Sequence, residues 1–214
     1  MHPSFPINLS RWPSRRKEST LRWSRQAVID QYVPATPTPG IRGDAFAPSN
    51  IALCKYWGKR DTDLNLPING SLSVSLGNLG SHTEITPSTT DRDQVLLNGE
   101  LQALDSRFSQ KVVDFVSLFR KGLDQPLRIN THNSIPTAAG LASSASGFAA
   151  LMLALNDFYT LQLAPPVLSA FARMGSGSAA RSIYTGFVEW HKGENPDGMD
   201  SHATPLTLAW PDFR

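Results

Sequence analysis

Cysteine is almost absent: Cys54 is the only one in 214 residues. An internal disulfide is therefore excluded, and a reducing compartment is compatible with the chain. Cys54 ends an apolar run, Ile51-Ala-Leu-Cys, and is expected to be a buried, inert thiol. Long apolar runs are lacking too. None is long and pure enough to span a membrane, and no signal-peptide core opens the chain. Charge is scarce: 18% of residues are charged and the net charge is +2, too little to point to nucleic acid. Only Trp12 and Trp23 interleave the early arginines, which argues further against that partner. A hydrophobic content of 40% suits a packed core, and the length allows one domain or slightly more.

The start differs from the rest. Arg11, Arg15, Arg16, Lys17, Arg22 and Arg25 are answered only by Glu18, and Pro34, Pro37 and Pro39 then make a stiff connector. Residues 1–40 are expected to be a poorly ordered basic extension, although acid-poor starts rich in Arg and Ser also occur in targeting peptides. Residues 41–214 are the expected folded domain.

Within that domain, Ile51 and Leu53 suit a strand or a tight strand-to-loop passage. Ser71 to Leu76 alternates as a half-buried strand does. His82 to Thr86 and Gln94 to Leu97 read as further strands, with Asn98-Gly99 a strong turn signal. From Asp105 to Leu123, Phe108, Val112, Phe115 and Phe119 fall on one helical face, closed by Gly122 and Pro126. Leu127 to Thr131 reads as a strand, 141–159 as a buried helix, and Pro165 to Arg173 as a shorter helix. Tyr184 to Trp190 and Ser201 to Leu208 are the last expected strands.

The strand at 127–131 runs into Pro136-Thr-Ala-Ala-Gly-Leu-Ala-Ser-Ser-Ala-Ser-Gly147 and then into the buried helix. Small residues leave the main chain open, and a helix start offers free N–H groups and the positive end of a dipole. Strand, small-residue loop and helix together are a setting for phosphate. No Gly-Lys-Ser/Thr ends the loop, so it is not a Walker loop. Tight packing through small residues is the alternative. Lys55 and Lys59 bracket Tyr56, Trp57 and Gly58. Two lysines beside a core are costly unless an anion meets them. Gly175-Ser-Gly-Ser-Ala-Ala-Arg-Ser182 places hydroxyls and a guanidinium on a flexible backbone, either an anion receptor or an ordinary turn with a solvated arginine.

Three blocks now stand together: Ala47-Pro-Ser-Asn-Ile-Ala-Leu-Cys-Lys-Tyr-Trp-Gly-Lys-Arg-Asp61, Asn133-Ser-Ile-Pro-Thr-Ala-Ala-Gly-Leu-Ala-Ser-Ser-Ala145, and the 175–182 block. In this order they resemble the diphosphomevalonate decarboxylases of the GHMP kinase superfamily, from about Asp44 onward. The resemblance implies an α+β fold: the GHMP N-terminal subdomain, like the second domain of ribosomal protein S5. A mostly antiparallel sheet would carry the 105–123 and 141–159 helices. It further implies ATP and Mg²⁺ as cofactors, mevalonate 5-diphosphate as substrate, a cytoplasmic location, and phosphorylation of the 3-hydroxyl followed by loss of phosphate and CO₂ to give isopentenyl diphosphate.

Carried over residue by residue, the resemblance makes Lys55 and Arg181 catalytic and Tyr56, Lys59, Ser176, Ser178 and Arg181 substrate-binding. It assigns Asn133, Pro136, Ala139, Gly140, Leu141, Ala142, Ser143 and Ser144 to ATP, with Ser143 or Ser144 near the metal. Asn50 and Asn133 are weaker carry-overs. Arg181 would orient the carboxylate so that the breaking C–C bond aligns with the departing phosphate. The family's catalytic aspartate, in an Asp-Ala-Gly-Pro-like block of its second half, has no counterpart here. The expectation is therefore a chain without the C-terminal subdomain, inactive or impaired alone, which pairs with a missing half or with a second copy as a homodimer. A related mevalonate-type kinase or bisphosphate decarboxylase, and a non-catalytic nucleotide-binding remnant, are the alternatives.

Overall fold

One long strand organises the sheet. In the computed structural model, which describes residues 22–135 and 143–207, β4 runs from Ser71 to Pro87. The first strand, β1 (Gly43–Cys54), pairs antiparallel with β4 along one edge. The other edge of β4 is shared end to end. Its first part pairs with β8 (Phe187–Trp190) and its last part with β7 (Leu127–Asn133), both antiparallel. Outward from β7 lie β5 (Gln94–Leu97), in parallel, and β6 (Glu100–Leu101); outward from β8 lies β9 (Ala203–Pro205). A small separate hairpin joins β2 (Lys59–Asp61) to β3 (Leu66–Pro67). The sheet is mixed and mostly antiparallel, as the sequence implies.

Where two strands are expected, at 71–76 and 82–86, one is found. Gly77 adopts φ 60°, a left-handed backbone that glycine takes without steric cost. The gap between the two expected strands is a bulge within one strand. Register passes from Pro48↔Gly80 to Asn50↔Ser75, so Ser49 stands opposite the looped-out segment 76–79. By contrast, Asn98 (φ 53°) and Gly99 (φ 84°) make the expected tight turn between β5 and β6.

Three helices cover one face. In α2 (Arg107–Arg120), the Ser106 hydroxyl accepts the Ser109 N–H at 3.2 Å as an N-cap, and left-handed Lys121 and Gly122 end the helix. Its buried face is Val112, Phe115, Val116 and Phe119. The central helix α3 (Ser143–Phe158) is apolar on most sides and lies against β1 and β4. In α4 (Pro165–Gly175), prolines occupy the first positions, where no N–H is needed. The packing is close. A Cβ on Gly43 would fall 2.3 Å from the Ala154 carbonyl oxygen, and one on Gly80 would fall 2.1 Å from that of Ala47.

The packed body begins earlier than residue 41. A short helix, α1 (Arg25–Ile29), is capped by Ser24, and Val28, Ile29 and Val33 are buried in the main core. The periodic signal of five residues is too short to be read from sequence, and the neighbouring arginines mask it. Residues 1–21 and 208–214 lie outside the described residues.

Candidate active site

Two polar clusters hang from adjacent residues of β1. The first lies at the start of α3. Ser49 Oγ donates to Ser146 Oγ at 3.0 Å, Ser146 and Ser81 hydroxyls lie 2.8 Å apart, and Ser81 Oγ donates to Asn133 Oδ1 at 2.7 Å. This chain of buried hydroxyls ties the first turn of α3 to β1, β4 and the end of β7. Beside it opens a groove of about 510 Å³ between α2 and α3. Ser143, Ser144 and Asn133 line its polar end, and Leu97, Phe108 and Leu151 its apolar walls. Arg107 and Lys111 also reach it. Phe108, which the periodicity assigns to the core face of α2, is 37% exposed and lines this groove. Pro136, Ala139, Gly140, Leu141 and Ala142 lie outside the described residues.

The second cluster surrounds Arg181. The 175–182 block is expected to have a flexible backbone, as either an anion receptor or an ordinary turn. It is instead the end of α4 followed by a 3₁₀ helix over Gly177–Ile183. Ser169 fixes it by donating to the Ala180 carbonyl at 2.8 Å while accepting the Ala203 N–H at 2.8 Å. Arg181 is buried at 3% exposure. Its Nη1 donates to Ser71 Oγ and its Nη2 to Asn50 Oδ1 at 3.3 Å. The Asn50 amide in turn donates to Ser182 Oγ at 2.7 Å and to the Ser178 carbonyl at 3.3 Å. The guanidinium lies 5.8 Å from the Trp190 ring centroid, and Tyr56 packs edge-on against the same ring at 4.8 Å. Gly177 packs closely here: a Cβ would lie 2.9 Å from the Tyr56 hydroxyl and 3.3 Å from Trp190, so the tip of Tyr56 would have to shift.

Burial pushes the Arg181 pKa down to about 10, with the Tyr56 hydroxyl acting weakly the other way. It remains a cation at neutral pH. No carboxylate pairs with it among the described residues, and Nε has no protein partner there. A buried cation that only neutral groups hold is suited to an anion. The carboxylates after the block are engaged elsewhere. Asp200 accepts the Glu194 N–H at 2.6 Å and the Asn195 N–H at 3.1 Å, and Asp197 accepts the Met199 N–H at 3.1 Å.

Lys55 and Lys59 are exposed, not set beside a core; the buried cations are Arg173 and Arg181 instead. The Lys55–Trp57 turn is held by Asn69, whose Oδ1 accepts the Trp57 N–H at 2.9 Å and whose amide donates to the Lys55 carbonyl at 3.2 Å. Lys59 Nζ donates to Asn65 Oδ1 at 2.6 Å. Ser176 and Ser178 are half-buried at the start of the 3₁₀ helix. Cys54 is exposed at the end of β1, because the strand outruns the helices there; it is not the buried thiol expected. Ser182, which closes the 175–182 block, belongs to the Arg181 cluster, as do Ser71 and Trp190, where a strand periodicity is all the sequence offers.

The sequence profile described as the diphosphomevalonate decarboxylase-like N-terminal domain matches residues 47–203, which holds both clusters. The chain belongs to this diphosphomevalonate decarboxylase-like family. A diphosphomevalonate decarboxylase of Gibberella zeae is 45% identical over 194 residues, 83% of this chain and 51% of its own length. Mevalonate diphosphate decarboxylase from Staphylococcus aureus superposes with TM-score 0.73 at 44% identity, over 79% of this chain and 51% of that one. MDDEF, solved in complex with MVAPP, AMPPCP and magnesium, gives TM-score 0.68 at 42% identity, over 78% of this chain and 50% of that one. The chain thus spans about half the length of the diphosphomevalonate decarboxylases it matches. Among the described residues no helix is long and apolar enough to cross a membrane.

Proposed function

We propose that the chain provides the nucleotide grip and most of the acid and diphosphate grip for ATP-dependent decarboxylation of mevalonate 5-diphosphate to isopentenyl diphosphate. The observation that carries this is the Arg181 cluster: a buried cation with no acidic partner, one β1 residue away from the hydroxyl chain at the start of α3. The separation of the two clusters suits a substrate that must present an anionic end to one and a phosphate acceptor to the other.

The groove fits a nucleotide. Its apolar walls suit a base, and Ser143, Ser144, Asn133, Arg107 and Lys111 supply donors for phosphates. Magnesium fits differently. No group of three His, Cys, Asp or Glu able to hold a metal exists among the described residues, so the ion would be carried by the nucleotide phosphates with the hydroxyl of Ser143 or Ser144. Bound there, MgATP supplies the phosphoryl group that turns the 3-hydroxyl into a leaving group.

The chain's own residues do the positioning. Arg181 offers a fork of donors that fixes the carboxylate plane and so aligns the breaking C–C bond with the departing phosphate. Because a cation on a carboxylate also stabilises the ground state, its contribution is orientation rather than pull. Ser176 and Ser178, half-buried before it, donate to the acid end. Tyr56 closes the side wall on Trp190. Lys55, in the exposed loop after β1, and Lys59, at the start of β2, meet the diphosphate and the transferred phosphate, where an ammonium with free donors suits phosphate charge. Deprotonation of the 3-hydroxyl calls for a carboxylate, and none pairs with Arg181 among the described residues.

Calorimetry on the 214-residue protein tests this. Mevalonate 5-diphosphate should bind, and bind more tightly with AMPPCP and magnesium present. ADP and CO₂ release from ATP should be weak or absent unless the chain is supplemented with the C-terminal half of a relative. Failure to bind mevalonate 5-diphosphate in all these conditions would reject the reading.

A further inference from the structure

We propose that Asn65 is a positioning residue that fixes the Lys59 ammonium relative to the Arg181 segment by bridging the β2–β3 hairpin to the end of α4. The role in ligand binding rests on the function proposed above; the bridge itself does not.

Asn65 lies between β2 and β3 with φ 53°, a left-handed conformation that asparagine tolerates better than most residues. The loop around it is anchored. Leu64 and Leu66 are buried at 1% and 3% exposure, and Asp61 Oδ1 accepts the Leu64 N–H at 2.9 Å. The side-chain amide therefore points in a set direction. Its nitrogen donates to the Arg173 carbonyl at 3.0 Å and to the Met174 carbonyl at 2.9 Å. These belong to the last turn of α4, whose carbonyls have no partner within the helix. Its oxygen accepts Lys59 Nζ at 2.6 Å. Chemistry fixes which end of the amide is which: carbonyls can only accept, and an ammonium can only donate.

Both ends of this amide are thus committed. The helix end it holds is the one that turns, at Gly177, into the 3₁₀ helix bearing Arg181. The amine it holds is an exposed cation on a flexible stem that would otherwise sample many rotamers. One donor of Lys59 is used by the bridge, which leaves its others for an anion. The effect is to set the span between a tethered surface cation and a buried fixed one. An aspartate at 65 would keep the lysine but turn an oxygen against the α4 carbonyls. A glycine would keep the backbone and delete the bridge.

Asn65→Gly and Asn65→Asp in the 214-residue chain decide the matter. Amide hydrogen exchange without ligand should quicken about tenfold or more across Gly177–Ile183 in both variants while β7 keeps its protection. Affinity for mevalonate 5-diphosphate should fall about tenfold, with the affinity for AMPPCP and magnesium held within about twofold. Adding Lys59→Met to Asn65→Gly should cost little more, since the two act as one unit. Unchanged exchange over Gly177–Ile183, uniform quickening that includes β7, or fully additive losses would each overturn the bridge. If the unmodified chain fails to bind mevalonate 5-diphosphate, the proposed function falls, and the exchange comparison alone still decides the role of Asn65.

Discussion

Ser49 and Asn50 are neighbours on one strand, and both are buried, yet they serve different clusters. Ser49 holds Ser146 at the start of α3, and Asn50 holds Arg181 and Ser182. Successive strand residues normally face opposite sides of a sheet. Here the register shift opposite segment 76–79 keeps both inside. The two clusters are thereby anchored on adjacent residues of one strand, with no loop between the anchors.

The Arg181 fork can be separated from its charge. Arg181→Lys keeps a cation but loses the planar pair of donors to Ser71 and Asn50. Affinity for mevalonate 5-diphosphate should fall by about 2–3 kcal/mol, in the range of a lost charged hydrogen bond. Affinity for AMPPCP and magnesium should stay nearly constant. Calorimetry of both ligands reads the split, and equal losses would show that Arg181 supports the fold generally.

The hydroxyl chain makes a stability prediction. Ser146→Ala removes the partner of Ser49 and one partner of Ser81, both fully or almost fully buried. Leaving buried polar groups short of partners should cost about 1–3 kcal/mol, measured by urea unfolding. Ser117→Ala, on the exposed side of α2, should cost far less.

Asp44 sets part of the acid response. The hydrogen bond from His82 at 2.7 Å lowers its pKa below the ordinary 3.8, with Arg42 helping. A carboxyl whose folded pKa is depressed stabilises the fold fully above its unfolded value and loses that contribution as pH falls through the folded one. Unfolding free energy should therefore drop from about pH 4 downward, and Asp44→Asn should flatten that limb. Because the group is partly exposed, the difference should stay below about 1 kcal/mol. Urea titrations between pH 2.5 and 6, in steps of about half a unit, would show it.

Local chemistry was legible where neighbours in sequence are also neighbours in space. The Asn98-Gly99 hairpin, the phenylalanine face of α2 and the proline start of α4 all follow from a few consecutive residues. The three blocks hold Arg181 and Ser143, which lie in one cluster and beside the other. What failed depends on distant pairing. Residues 71–76 and 82–86 read as two strands until β1 supplies the register that joins them through a bulge. Cys54 reads as core until the strand outruns its helices. Lys59 reads as a lysine beside a core until Asn65 is seen to hold it at the surface. Ser71 and Trp190 become part of a site only because β4 and β8 lie side by side.

The absence of side chains at Gly43 and Gly80 has a genetic consequence. The carbonyls of Ala154 and Ala47 stand where any β-carbon would go, and neither belongs to a flexible group able to step aside. Even alanine would have to lever β1 away from α3 or from β4, at a cost of about 1–3 kcal/mol or more. Heat-sensitive alleles selected at random should accumulate at these two codons, with protein that is normal when cool and lost when warm. Loss-of-function alleles that leave protein abundance untouched should map instead to codons 181 and 59.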